Sequence, residues 1–313
     1  MGPAGLREGC RSDYYEMDLD IVSSPGSPGK PVIVLIHGLG MDKNIWVAPL
    51  KARILGGMFP LKILVGRYVS GSPRVLHTLF HDLRNRDYPV ITWSQKRTAG
   101  PIDSVLLELT AIIKIARGMT DAGIILIGHS RGGLIGRQYL SKTDTPVRGL
   151  ITIATPHKGS AIARVAQYFS PLGSVISPLI PNSDKSKAAR SIKRISEFLK
   201  SRALQELLPE SHFFQSLHDE PLAGVSYVSA GGINPVLFNF STLSFPVIFE
   251  RIIPEPLYPD EMKKGKGDGL VSAESSKIPW AGEHYYFDCN HAEILFDEEA
   301  RNTIINAVDR IFP

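Results

Sequence analysis

Apolar positions along this chain gather into short, nearly unbroken runs rather than alternating with polar ones. "PVIVLIHG" (31–38) is the clearest. Continuous apolar runs of this length read as strands buried on both faces, the signature of a parallel sheet covered by helices. "YPVITWS" (88–94), "GIILIGHS" (123–130), "VRGLITIATP" (147–156) and "LAGVSYVSAGG" (222–232) have the same character, and "HYYFDC" (284–289) reads as the last strand. Between them, "PIDSVLLELTAIIKIARGM" (101–119) and "RGGLIGRQYLSK" (131–142) carry helical spacing. In "EEARNTIINAVDRIF" (298–312), Ile304, Ile305, Val308, Ile311 and Phe312 share a face, and acids fill the first turn. Strands alternating with helices predict an α/β fold with a mostly parallel central sheet flanked by helices.

Two stretches break that rhythm. Residues 41–73 delay the helix due after the first buried strand. Residues 160–221 place about sixty residues between two strands, where a short loop or one helix would serve. The first part of this insertion is apolar and broken by proline and glycine. The second approximates one apolar face through Ile192, Ile195, Leu199 and Leu204. Between 183 and 202 there are seven basic and two acidic residues, a local +5 that exceeds the +4 of the whole chain. Such a segment fits a solvated helix packed on the core; the alternative is a surface that docks peripherally on an anionic or lipid–water interface. "PVLFNFSTLSFPVIF" (235–249) reads as core or cleft lining.

Composition changes the picture little. Of 313 residues, 43% are hydrophobic and 21% charged, within the globular range, so 1–313 is read as one domain carrying the insertion. Thirty-five basic against 31 acidic residues is too mild a balance to argue for nucleic acid. Cys10 and Cys289 allow no disulfide framework and no Cys-x-x-Cys metal site, and are read as two free thiols. The first twenty residues lack a basic-then-apolar leader, so the expectation is a soluble, cytoplasmic protein, or a secreted one whose signal peptide has been removed. No pattern speaks to oligomeric state.

The chemistry gathers around Gly128-His129-Ser130-Arg131-Gly132, a Gly-x-Ser-x-Gly with a strand before it and a helix after it. A glycine-rich turn without chemistry would give the same five residues; the strand–turn–helix setting favours a nucleophile. A serine turned sharply out of a strand needs strained backbone angles, and glycines two residues either side remove the collisions. Its hydroxyl needs a base. Of the nine histidines, five follow Ser130: His157, His212, His218, His284 and His291. His291, in "FDCNHAEI", lies in a loop beyond the last strand, whereas His284 begins that strand and the others belong to or flank the insertion. Asp268, in "KGKGDGLVS", is chosen as its partner over Asp260, over Asp288 in the strand, and over Asp297, which reads as the N-cap of the final helix. An oxyanion hole would use the N–H of Arg131 and that of Leu39 in "HGLG". Gly38 would let this backbone approach, and His37 would hold the loop by hydrogen bonds. The Arg131 side chain is expected only to line the mouth.

Together, "HGLGMDKN" (37–44), "GHSRGG" (128–133), "TPHKGS" (155–160), "GDGLVS" (267–272) and "NHAEI" (290–294) resemble the α/β-hydrolase superfamily, and within it bacterial lipases of the Pseudomonas/Burkholderia type. The resemblance implies an α/β-hydrolase fold with residues 160–221 as a helical cap, or lid. It implies a Ser130–Asp268–His291 triad and an oxyanion hole at Leu39 and Arg131. It also implies a carboxylic-ester hydrolase acting on small-molecule or lipid esters with an apolar acyl group. An acyltransferase, a thioesterase, a lipid-remodelling hydrolase or a non-catalytic binding member are the other readings. Those lipases hold a structural calcium partly through an aspartate two residues after the histidine. Here that residue is Glu293, so neither calcium nor any other metal or cofactor is expected.

Overall fold

The computed structural model describes residues 17–54, 61–65, 76–142, 146–161, 163, 197–198, 200–237, 239–240, 243–244 and 258–313. Among them, seven strands form one sheet: β1 (Asp20–Ser24), β2 (Val32–Ile36), β3 (Val90–Ser94), β4 (Ile124–His129), β5 (Val147–Ile153), β6 (Ser226–Gly232) and β7 (Glu283–Phe287). Their spatial order is β1-β3-β2-β4-β5-β6-β7. All neighbours are parallel except β1, which pairs antiparallel with β3 at the edge.

The apolar runs are continuous because both faces of the sheet are covered. Ile33 and Leu35 of β2 pack on one side with Ile125, Ile127, Ile151 and Ile153, beneath helices α1 (Leu79–Asn85) and α4 (Glu298–Ile311). Val32, Val34 and Ile36 pack on the other side with Leu126 and Leu150, beneath α2 (Ile102–Arg117) and α3 (Arg131–Lys142). Successive strand residues point to opposite faces, so a strand between two helix layers must be apolar at every position. Every residue of β2 and β4 is buried. Asp297 caps α4, its side chain accepting from the Ala300 N–H.

Strand ends are shorter than the apolar runs by one to four residues, since several runs continue into the loops that carry the polar chemistry. The antiparallel β1 was not expected from the sequence. All of "DIVSS" but Ser24 is exposed or half-exposed, so it lacks an unbroken apolar run. Asp288, expected within the last strand, lies just past its end.

Most of the cap expectation falls outside the described residues, as does more than half of 235–249, the stretch expected as core or cleft lining. The described end of the insertion returns through two short turns of helix, Arg202–Glu206 and His212–Ser216. Leu204, Leu207 and Leu217 pack into the α2–α3 layer. Among the described residues no helix is long and apolar enough to cross a membrane.

The order of strands reverses at β2, whose neighbours β3 and β4 follow it in sequence on opposite sides. In open α/β sheets the crevice at the carboxyl ends of the strands beside such a reversal is where ligands bind. The loops after β2, β4, β6 and β7 hold His37–Gly40, Ser130, Asp268 and His291, in that order.

Candidate active site

Ser130 sits between the last residue of β4 and the first of α3, with φ at +54°. A non-glycine residue in this left-handed region is uncommon, and strain there marks a position held by its surroundings. The Ser130 N–H donates to Ile153 O on the neighbouring strand at 2.7 Å, and its carbonyl accepts from the Gly133 N–H at 3.1 Å. The flanking glycines are required by close approach. A Cβ on Gly128 would lie 2.4 Å from the Gly133 nitrogen, and one on Gly132 would lie 2.3 Å from Ile36 O.

His291 and Asp268 come from separate loops and meet directly. The His291 Nδ1–H donates to Asp268 Oδ2 at 2.9 Å, and the His291 N–H donates to Asp268 O at 2.9 Å. The other carboxylate oxygen, Oδ1, accepts from the Leu270 and Val271 N–H groups at 3.0 and 2.7 Å. Asp268 is fully buried and His291 nearly so. With Nδ1 donating to a carboxylate, the neutral imidazole leaves Nε2 as a lone-pair acceptor. No hydrogen bond joins the Ser130 hydroxyl to that ring in this structure.

His129 brings the pair to the serine. Its Nε2–H donates to His291 O at 2.9 Å, and the two rings lie 4.9 Å apart between centroids, inclined at 49°. Burial first, and the neighbouring His291 second, push the His129 pKa well below the usual histidine value, so the ring stays neutral. The residue before Ser130 therefore holds the backbone of the histidine loop.

The loop after β2 closes the other side. A Cβ on Gly38 would lie 2.9 Å from the Ser130 Cβ, so only glycine lets this backbone approach so closely. His37 pins the loop: its Nε2 accepts from the Gln95 N–H at 3.1 Å, its Nδ1–H donates to Gly38 O at 3.0 Å, and its carbonyl accepts from Gln95 Nε2 at 2.9 Å. Burial holds its pKa down to about 4. Neither the Leu39 nor the Arg131 N–H donates to a backbone carbonyl among the described residues.

The Arg131 side chain corrects the sequence reading. It does not line a mouth; it is wholly buried. Its guanidinium donates to Gly100 O at 2.5 Å, to Thr98 O at 3.3 Å and to Glu206 Oε2 at 3.1 Å. A planar fork with several donors satisfies acceptors on two segments at once, and a packed interior leaves no room for it to turn outward. Neither the half-buried Glu206 nor Glu261, a buried carboxylate that accepts from the Ala161 N–H at 2.6 Å, was singled out from the sequence. Nothing local marks either: their partners are remote in sequence.

The competing residues are engaged elsewhere. His284 shares a hydrogen bond with Ser229 Oγ at 2.7 Å and His157 with Thr152 Oγ1 at 3.0 Å. Asp260 pairs with Lys263, and Asp288 accepts from Asn234 Nδ2. Glu293, at the position of the calcium-binding aspartate, instead accepts from the Asn290 N–H at 3.2 Å within its own loop. Among the described residues no three His, Cys, Asp or Glu side chains are grouped to hold a metal.

A family model described as the alpha/beta hydrolase family matches residues 33–300. The chain belongs to that family. Among solved structures it is similar to a Bacillus licheniformis lipase, BlEst2, in its mature form: 17% identity, a TM-score of 0.59, 92% of this chain and 97% of the other covered. The propeptide form of the same lipase gives a TM-score of 0.60 at 17% identity, with 92% of this chain and 53% of the longer one covered. At this identity the likeness speaks to the fold, and the strand order and loop positions agree with an alpha/beta hydrolase. A search of curated protein sequences finds no match.

Proposed function

We propose that this hydrolase is a serine carboxylic-ester hydrolase, a lipase or esterase, that takes an apolar acyl group onto Ser130. The observation that carries the reading is the buried His291–Asp268 hydrogen bond, held by His129 against the strained turn that bears Ser130. In the reaction, His291 Nε2 takes the proton of the Ser130 hydroxyl as the oxygen attacks the ester carbonyl. Asp268 keeps the imidazole in the tautomer that can do so and stabilises the imidazolium that forms. The N–H groups of Leu39 and Arg131 receive the oxyanion. The imidazolium then protonates the departing alcohol, and water repeats the sequence to release the acid and free Ser130. The apolar preference is supported by two exposed apolar residues, Leu270 on the loop of Asp268 and Val236, whose carbonyl accepts from Asn290 Nδ2 beside His291. In this reading residues 160–221 cap the acyl cleft and supply any contact with a lipid surface.

A series of p-nitrophenyl esters of increasing acyl length, with emulsified triglyceride, tests the proposal on wild type and Ser130→Ala. Hydrolysis is expected in wild type and lost by at least about 10³-fold in the variant. A rise with emulsified long chains would make it a lipase; confinement to short soluble esters would make it an esterase. Unchanged activity in Ser130→Ala would sink the mechanism.

A further inference from the structure

We propose that Glu206, at the end of the insertion, is a positioning residue for the oxyanion hole, acting through the buried Arg131 side chain. The inference rests on the reading of Ser130 as nucleophile and Arg131 N–H as an oxyanion donor. Arg131 is the first residue of α3, so its N–H is left over from the helix's own hydrogen bonds, while its side chain is buried in the protein. Two segments converge on that side chain. The loop after β3 gives Thr98 O and Gly100 O, and the returning insertion gives Glu206 Oε2 at 3.1 Å. Glu206 also accepts from the Ile102 N–H at 3.0 Å, which opens α2. The Ala203 N–H donates to Ala99 O at 3.3 Å, so the insertion touches the same loop twice.

Burying a guanidinium against a half-buried carboxylate is costly, and well-packed apolar residues often replace a buried charge pair without loss of stability. Stability alone therefore does not call for charge here. The arrangement does give directional contacts to two segments from one residue whose backbone must sit within fractions of an ångström of the developing oxyanion. Displacements of about 1 Å in such a donor cost on the order of 10²-fold in rate. The base of the insertion is tied in elsewhere too: the Ser160 N–H donates to Leu207 O at 2.8 Å, Ser160 Oγ to Leu270 O at 2.6 Å, and the Ala161 N–H to Glu261. Both ends of the insertion thus touch the loops that carry Asp268 and Ser130. A shift in the insertion reaches the oxyanion donor through Glu206.

The test separates positioning from stability with the double variant Arg131→Met with Glu206→Leu, which removes both charges together, and with Glu206→Gln alone. Thermal unfolding, kcat and KM on a short soluble ester, and the affinity of an alkyl boronic acid, whose adduct on Ser130 places an oxygen at the oxyanion position, are measured for each. The proposal expects the double variant to melt near wild type, with KM unchanged and kcat lowered roughly 10- to 100-fold. Boronate affinity should fall in parallel. Glu206→Gln should show the same split at several-fold size, and decides the matter alone if the double variant does not fold. Folded variants with wild-type kcat and boronate affinity overturn it. A fluorophosphonate that leaves wild-type Ser130 unlabelled would instead refute the nucleophile reading beneath it, so the two failures are distinguishable.

Discussion

Replacing Asp268 by asparagine should abolish most activity while leaving the fold intact, and the geometry says why. Asp268 Oδ1 accepts two N–H groups, from Leu270 at 3.0 Å and Val271 at 2.7 Å, and Oδ2 accepts from His291 Nδ1 at 2.9 Å. An asparagine has one acceptor oxygen and one NH2. If the oxygen stays with the two backbone donors, the NH2 faces His291 and forces Nδ1 to accept. The proton then moves to Nε2, and the imidazole can no longer take one from Ser130. If the amide flips, two buried N–H groups face an NH2, at about 1–3 kcal/mol for each group left unpaired. The first arrangement wins, and it is the inactive one. An aspartate-to-asparagine change that imposes the wrong tautomer costs about 10⁴-fold in a serine-protease triad. The expectation here is a fall of about 10³–10⁴ in kcat, or about 4–5.5 kcal/mol of transition-state stabilisation. The Leu270 and Val271 bonds survive, so the melting temperature should change by only a few degrees. Initial rates on a soluble p-nitrophenyl ester, beside a thermal melt, decide it. A folded Asp268→Asn variant within tenfold of wild-type kcat would refute the tautomer argument.

Two further expectations concern stability. Gly132→Ala places a methyl 2.3 Å from Ile36 O in the neighbouring strand, backbone that cannot yield without moving β2. It should lower stability by about 1–3 kcal/mol in urea titration and take activity with it; an unchanged midpoint would mean the turn is less tightly held than described. Low pH should destabilise the fold through its buried histidines. His37 is held down to about 4 by burial, and burial pushes His129 and His157 in the same direction. Their neutral forms are the folded ones, so the stability they contribute is full above the unfolded value near 6.5 and is lost as pH falls below it, for His37 between there and about 4. For His37 alone this is about 1.4 kcal/mol per pH unit, roughly 3 kcal/mol in all. A urea midpoint equal at pH 7.5 and pH 5 would count against it.

What could be read from the sequence follows from how each part is held. β2 and β4 lie between two helix layers, so their apolar runs are unbroken and unmistakable. The helix "RGGLIGRQYLSK" was placed at its observed limits, Arg131–Lys142, because the turn before it is fixed by glycines and its face is buried along its length. β1 was missed for the converse reason. It is an edge strand with Asp20 exposed, and its antiparallel pairing with β3 leaves no local trace.

The candidate site divides the same way. Ser130, Asp268 and His291 could be picked out because each belongs to a loop at the carboxyl end of a strand, and chain order limits which acid and histidine can follow the serine. The structure brings two of them, Asp268 and His291, into a hydrogen bond beside the third. The groups that hold this arrangement have no such signature. Arg131 reaches carbonyls 31 and 33 residues upstream and a carboxylate 75 residues downstream, and Glu261 reaches an amide 100 residues upstream. Backbone carbonyls and amides carry no side-chain identity, so a partner that recognises them leaves no motif to find. A buried charge at such a place is informative only once its surroundings are known: from the sequence Arg131 is a surface arginine after a serine, and in the fold it is the link between that serine's turn and the insertion above it.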